Sequence, residues 1–265
     1  MTSLANAAPL LTNVFGKTGD VGDLVKNFDF SKISVNDTKS DEFLHTDLAP
    51  SFGKLNKDSL KEIDDKLKIM IAGTMKVLGR QTDKSWKAVL STMMQNELLE
   101  PDSAEVARAD KLIKESSNDF KFDGGADSSI VREVQTWFSN LISDADVLES
   151  TKIDIDVLAN IVAQTGATVD SFESFFAKDE HHEQTLIDIG VLRFPDIDRP
   201  FFKLYRIKLV AWSDSSRILF HQEDRNGITG EFNSRIFRPR ASVINSLTES
   251  ARGKAIAAAN ALFDD

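Results

Sequence analysis

Cysteine is absent from the chain. That excludes disulfides, thiolate metal sites and a cysteine nucleophile. Histidine is nearly as scarce, with four residues (His45, His181, His182, His221) to supply every imidazole ligand or base. No apolar run reaches the roughly 18 residues that a membrane-crossing helix needs. The first basic residue, Lys17, follows the short apolar patch near the N-terminus instead of preceding it, which is not the pattern of a signal peptide. These absences point to a cytoplasmic protein, or to one released without a classical signal peptide. Phosphate loops, dinucleotide fingerprints, GxSxG elbows and HExxH spacings are missing as well. No cofactor is therefore expected, and the reading leans away from an enzyme.

Base is in short supply overall, with 32 Lys and Arg against 42 Asp and Glu, a net charge of −10. An acidic total argues against nucleic acid as a partner. The deficit is uneven. Arg193 to Arg240 carries eight Arg and two Lys against six acids, so this stretch is +4 and the remainder −14. Such a stretch suits an anionic lipid headgroup or another anionic ligand, although arginines on a wet sheet face also pair with neighbouring acids.

The same stretch is the one long part of the chain that reads as β-structure. Leu186–Phe194 is aliphatic and β-branched and stops at Pro195. Phe201–Trp212 follows Pro200, with Tyr205, Ile207, Leu209 and Ala211 on one face and Arg206 and Lys208 interrupting the other. PDIDRP, 195–200, reads as the connecting turn. Asn226-Gly227 suggests a hairpin, and matching of the flanking residues favours a five-residue loop, Asn226–Gly230, which pairs Arg225 with Glu231 and Phe220 with Ile236.

Around this sheet the spacing predicts helices. Ser59–Glu62 has the form of a capping box, with Leu60, Ile63, Leu67, Met70, Ile71 and Leu78 at helical intervals. A second helix starts near Thr82 or Asp83 and carries Trp86, Val89, Leu90, Met93 and Met94. A third, thin in apolar residues, covers Asp102 to about Ser117. A fourth is capped near Asp127 or Ser128, and a fifth runs from about Asp154 to Lys178 with a kink at Gly166. A last, alanine-rich helix follows Pro239. Residues 1–50 read as short helices and loops, with 31–41 a polar surface loop.

The fold class expected is α+β: an N-terminal helical layer packed on a small antiparallel sheet (about residues 185–238), with a closing C-terminal helix. Residues 1–265 form one compact domain with a seam near Asp179. Residues 1–178 are mainly helical, and 179–265 hold the sheet and the last helix.

Chemistry is sparse. His181-His182-Glu183 cannot easily share one metal, since adjacent strand residues point to opposite faces. It reads as a junction between the fifth helix and the first strand. The stretch from Asp119 to Asp127 has Lys121 where a calcium loop needs a ligand, and Ile130 stands where the bidentate glutamate should be; GKTGDVG at 16–22 is not a phosphate loop. The candidate anion or ligand site is Arg217, His221, Arg235, Arg238 and Arg240, because arginine forks match phosphate and carboxylate. Three function classes follow. The first is a non-enzymatic binding protein, most concretely a membrane-active, toxin- or defence-like one with maskable amphipathic helices. The second is an enzyme with an unfamiliar site around His221 and the sheet arginines. The third is a structural, self-assembling protein, in which case a homo-oligomer is the natural partner.

Overall fold

A computed structural model describes residues 33–119, 125–165, 177–218 and 221–240. Their core is a mixed six-stranded sheet in the order β1-β6-β7-β8-β2, with β3 also paired to β8. The strands are β1 Ile33–Leu48, β2 Leu99–Pro101, β3 Val106–Asp119, β6 Ala177–Phe194, β7 Phe201–Ile218 and β8 His221–Pro239. β1 lies parallel to β6, and every other pair in this sheet is antiparallel. Two short strands, β4 Gly125–Ala126 and β5 Gln164–Thr165, make a separate ladder.

Among the described residues five α-helices flank the sheet: α1 Asp58–Arg80, α2 Trp86–Met94, α3 Ser128–Ile142, α4 Ala145–Ser150 and α5 Ile155–Ala163. Leu67, Met70, Ile71, Met75 and Leu78 of α1 are buried at helical spacing, and with Val89 and Met93 of α2 they pack on Ile189, Val191, Phe202, Leu204 and Phe237. The second core lies on the opposite face. There Val134, Trp137, Phe138 and Leu141 of α3 and Leu158 and Val162 of α5 meet Leu186, Tyr205, Ile207, Leu209, Ile228 and Phe232. Odd residues of β7 point to this second core and even ones to the first, as the two-residue period of a strand requires.

The expected architecture of an N-terminal helical layer on a small antiparallel sheet is overturned. The sheet is larger, it is mixed, and its first strand precedes the helices. The stretch 31–41, expected as a loop, contributes residues 33–41 to β1; it lies at the sheet edge, where most side chains from Ser34 to Glu42 stay exposed and no alternation is imposed. The third helix is instead strand β3: Val106, Ala109, Leu112 and Ile113 fit a helical spacing, but Arg108, Asp110 and Leu112 share a strand face toward α3. The fifth helix stops at Ala163, and His181-His182-Glu183 lies within β6, not at a junction. Lys57 occupies the cap position of α1 and no side chain caps it, so the expected capping box does not form. Asp127 does cap α3 through Ser129 N, and Ser85, not Thr82 or Asp83, caps α2. The helix after Pro239, the Gly166 kink, the GKTGDVG stretch and most of Asp119–Asp127 lie outside the described residues.

The hairpin expected at Asn226–Gly230 is also corrected. β7 and β8 pair from Ile218–His221 onward, so Asn226-Gly227 sits inside β8. Gly227 faces Trp212 across the pair, and a Cβ there would overlap the indole ring. The glycine serves a close approach, not a turn. Gly227→Ala should cost about 1–2 kcal/mol in urea unfolding, because the half-buried indole must shift. In a Trp212→Ala background most of that added cost should disappear, leaving the tight approach to the Leu112 carbonyl. A neutral single variant would refute this packing.

Candidate functional site: a helix-covered sheet face and its polar tie

The face of β6, β7 and β8 that α3 and α5 cover is built row by row. Leu186, Leu209 and Gly230 stand opposite one another; next come Asp188, Ile207 and Phe232, then Gly190, Tyr205 and Ser234. A Cβ at Gly230 would overlap Leu141 and Trp137, so that glycine is where α3 comes closest to the sheet. Polar side chains of the sheet hold the helix ends. Arg108 Nη1 donates to the carbonyls of Leu141 (3.2 Å) and Ile142 (2.6 Å), which terminate α3. Asn226 Nδ2 donates to the carbonyls of Val162 and Gln164 at the end of α5. Both contacts satisfy carbonyls that a helix C-terminus leaves without internal partners. Lys203 pairs with Asp144, the cap of α4, at 3.0 Å, and Trp137 Nε1 donates to Asp110 at 3.0 Å.

One charged residue stands in the middle of the apolar face. Asp188 is fully buried. It accepts from Thr151 Oγ1 (2.6 Å) and Lys152 N (3.0 Å), which belong to the segment between α4 and α5. His45 Nε2 on β1 lies 3.0 Å from its Oδ1, and the Tyr205 hydroxyl donates to its Oδ2 at 3.3 Å. Gly190 makes this meeting possible. It stands between His45 and Tyr205 in the register, and with no side chain there the ring and hydroxyl touch over it, at 3.0 Å. The cluster therefore ties edge strand, central strands and helix layer through one carboxylate.

His45 is held between two carboxylates, with Nδ1 2.8 Å from Asp47 Oδ2. Both ring nitrogens can donate only in the imidazolium form. Burial is the largest single influence and opposes that charge, yet the hydrogen bonds and charges of Asp188 and Asp47 together outweigh it and raise the pKa to about 9. The His45 hydrogen bond holds the Asp47 carboxyl below its ordinary range. Burial, then the Asp188 charge, push the Tyr205 phenol far above its ordinary value.

The opposite face has its own buried pair. Arg193 Nε donates to Asp64 Oδ1 at 2.8 Å and so fastens α1 to β6, with Thr46 at Nη1. Arg206 Nε donates to the Lys84 carbonyl, and its Nη1 pairs with Glu231 at 2.9 Å.

The residues expected as one anion site are spread along β8. Arg235 Nε donates to the Ser103 carbonyl, Arg240 Nε to the Leu99 carbonyl, and Arg238 pairs with Asp102. All three fasten β8 to β2 and the turn after it. Arg217 is fully buried in β7 opposite Gln222, and His221 opens β8 opposite Ile218. Thirteen residues separate Gln222 from Arg235, roughly 43 Å along an extended strand. The structure does not bring Arg217 and His221 together with the other three.

Near that far end a cavity of about 790 Å³ is lined by Asp179, His181, Asp214, Glu223, Arg225 and Glu115, among others. His181 Nδ1 pairs with Asp214 at 2.5 Å, and Arg225 with Glu115 at 3.2 Å. Among the described residues, no group of three or more His, Asp or Glu is placed to hold a metal. Sequence reasoning did not single out His45, Asp188, Tyr205 and Thr151 as a unit. The one local signal was an acid inside an aliphatic run, LIDIGVL. Comparison with protein-family models finds no matching family, and comparison with curated proteins finds no match.

Proposed function

We propose that the protein is a non-enzymatic, membrane-active protein of toxin or defence type, in which sheet strands, not helices, enter the bilayer. One observation carries the reading: among the described residues an extended apolar face of the sheet is stored under α3, α4 and α5, whose ends are tied down by polar contacts. None of the described helices is long and apolar enough to cross a membrane. β6, β7 and β8 have 18, 18 and 19 residues, where a tilted crossing strand needs about 9–11. Between Phe201 and Ala211 the covered face of β7 presents Phe201, Tyr205, Ile207, Leu209 and Ala211 with Lys203 as the one cation. The other face carries Arg206 and Lys208 among Phe202, Leu204 and Val210, so the covered face is the more uniformly apolar of the two and the better suited to lipid. Asp188 is a fully buried acid on the apolar side. While it is bound to Thr151 and the Lys152 amide, it favours the covered state. The net +4 of 193–240 favours anionic headgroups.

Dye-filled vesicles of phosphatidylcholine, with and without phosphatidylserine, test the reading. Leakage is expected, faster with the anionic lipid. A Lys203→Cys/Asp144→Cys variant joined by a short reducible crosslinker should not leak vesicles until reduced; the chain has no native thiol to interfere. No leakage from either vesicle between pH 4 and 10 would sink the proposal. Leakage indifferent to the crosslink would sink the uncovering of this face.

A further inference from the structure

We infer that copies of this chain join head to tail, the edge strand β1 of one pairing antiparallel with the edge strand β3 of the next. The inference goes beyond membrane activity and names the partner of the sheet. β1 and β3 are the long strands at the two sheet edges, with 16 and 14 residues, and neither contains a proline. Among the described residues each pairs on one side alone. Ser34 to Glu42 on β1 and Val106 to Lys111 on β3 are exposed at nearly every position. Long edges without a proline are templates for another strand, and the charges along these two restrict addition to a strand of complementary pattern.

Direction, face and charge each restrict the pairing. β1 runs parallel to β6, and β3 runs against β8, so a copy added in the same orientation places its β1 antiparallel to β3. On the face covered by α3, β1 presents Asp41, Phe43, His45 and Asp47, since His45 reaches Asp188 there. β3 presents Arg108, Asp110, Leu112 and Lys114 on that face, since Arg108 and Asp110 reach α3. One register sets Asp41 against Lys114, Phe43 against Leu112, His45 against Asp110 and Asp47 against Arg108. Three opposite-charge pairs and one apolar pair result. A slip of two residues one way places Phe43 against Asp110 and His45 against Arg108. A slip the other way places Phe43 against Lys114 and Asp47 against Asp110. The sequence therefore selects a single register, which is what strand pairing needs to be specific.

The same register puts Glu42 opposite Ile113 on the other face, and both are exposed. Within one molecule β1 and β3 are four strand spacings apart, roughly 19 Å, so a disulfide between them must join two molecules. The test mixes Glu42→Cys protein with Ile113→Cys protein under mild oxidation, in solution at high concentration and on phosphatidylserine vesicles. A mixed disulfide dimer is expected, with a ladder of higher oligomers when both cysteines sit in one chain. Glu42→Cys mixed with Lys111→Cys, two residues out of register, should crosslink at least tenfold less. Absence of the mixed dimer under both conditions, equal yield from the offset pair, or Glu42→Cys homodimers alone would each overturn the inference. Leakage without the ladder overturns edge pairing and leaves the membrane reading standing. A ladder without leakage does the reverse.

Discussion

Asp188→Ala is expected to lower stability by about 3–5 kcal/mol, the range for removing one partner of a buried charged cluster. The substitution withdraws the acceptor of Thr151 Oγ1, the Lys152 amide, His45 Nε2 and the Tyr205 hydroxyl at once. A buried donor left without a partner bears a desolvation penalty, and although His45 Nε2 and the Tyr205 hydroxyl keep each other at 3.0 Å, the cluster loses the acceptor that joins it to Thr151 and Lys152. Asp188→Asn keeps the shape and part of the hydrogen bonding, so about half that loss is expected. The pH dependence separates this cluster from ordinary packing. His45 has a folded pKa of about 9 against an unfolded value of roughly 6.5. A group raised in the folded state contributes stability that is full below the unfolded pKa and is lost as pH rises through the folded one. The 2.5-unit difference corresponds to a contribution on the order of 3 kcal/mol. Besides Asp188, the groups facing the ring are Asp47, itself bridged by Lys152 at 3.4 Å, and Tyr205. Urea midpoints of the native protein should therefore hold steady toward pH 6 and fall between pH 7 and 10. In Asp188→Ala and in His45→Gln that fall should flatten. A native midpoint unchanged across pH 7–10 would show that His45 does not hold its proton as this geometry requires.

The cluster also shows what a sequence can and cannot display. Elements whose burial has one strong period were legible: α1 through Leu67, Met70, Ile71 and Leu78, α3 through Val134, Trp137, Phe138 and Leu141, and β7 through the alternation from Phe202 to Ala211. Edge strands were not. β1 and β3 have one neighbour and much exposed surface, so little in their composition records the sheet. In β3 the few apolar residues fit a helix as well as a strand. Asn226-Gly227 was misleading because glycine answers two needs, a turn or a close approach, and only the position of Trp212 tells them apart. For the cluster, Asp188 is an acid inside an aliphatic run, a local signal that a strand reading of that run passes over; His45 lies 143 residues away and nothing near it marks the partner. The arginines drew attention by number, yet Arg235, Arg238 and Arg240 each fasten a neighbouring segment.

Gly190→Ala carries the other large expected effect, and it depends on whether Tyr205 can yield. A Cβ at Gly190 would overlap the Tyr205 ring at three atoms, including the hydroxyl. Trp212 beside Gly227 is half-buried and has room to move, whereas Tyr205 is fully buried and its hydroxyl is bound to Asp188 and His45. Strain from overpacking, commonly 1–3 kcal/mol, should therefore sit at the upper end, about 3 kcal/mol. The methyl group also stands between His45 and Tyr205 in the register, so it should separate the two and weaken the tie to β1. Two second-site variants divide these effects. Tyr205→Phe removes the hydroxyl but leaves the ring, and should not rescue Gly190→Ala. Tyr205→Leu removes most of the overlap, and should recover at least half of the loss caused by the alanine when each is measured in the same background. Rescue by phenylalanine and not by leucine would mean that the hydroxyl alone opposes the methyl group. A neutral Gly190→Ala would mean that Tyr205 does not lie across this strand, and the bridge from edge strand to helix layer would lose its keystone.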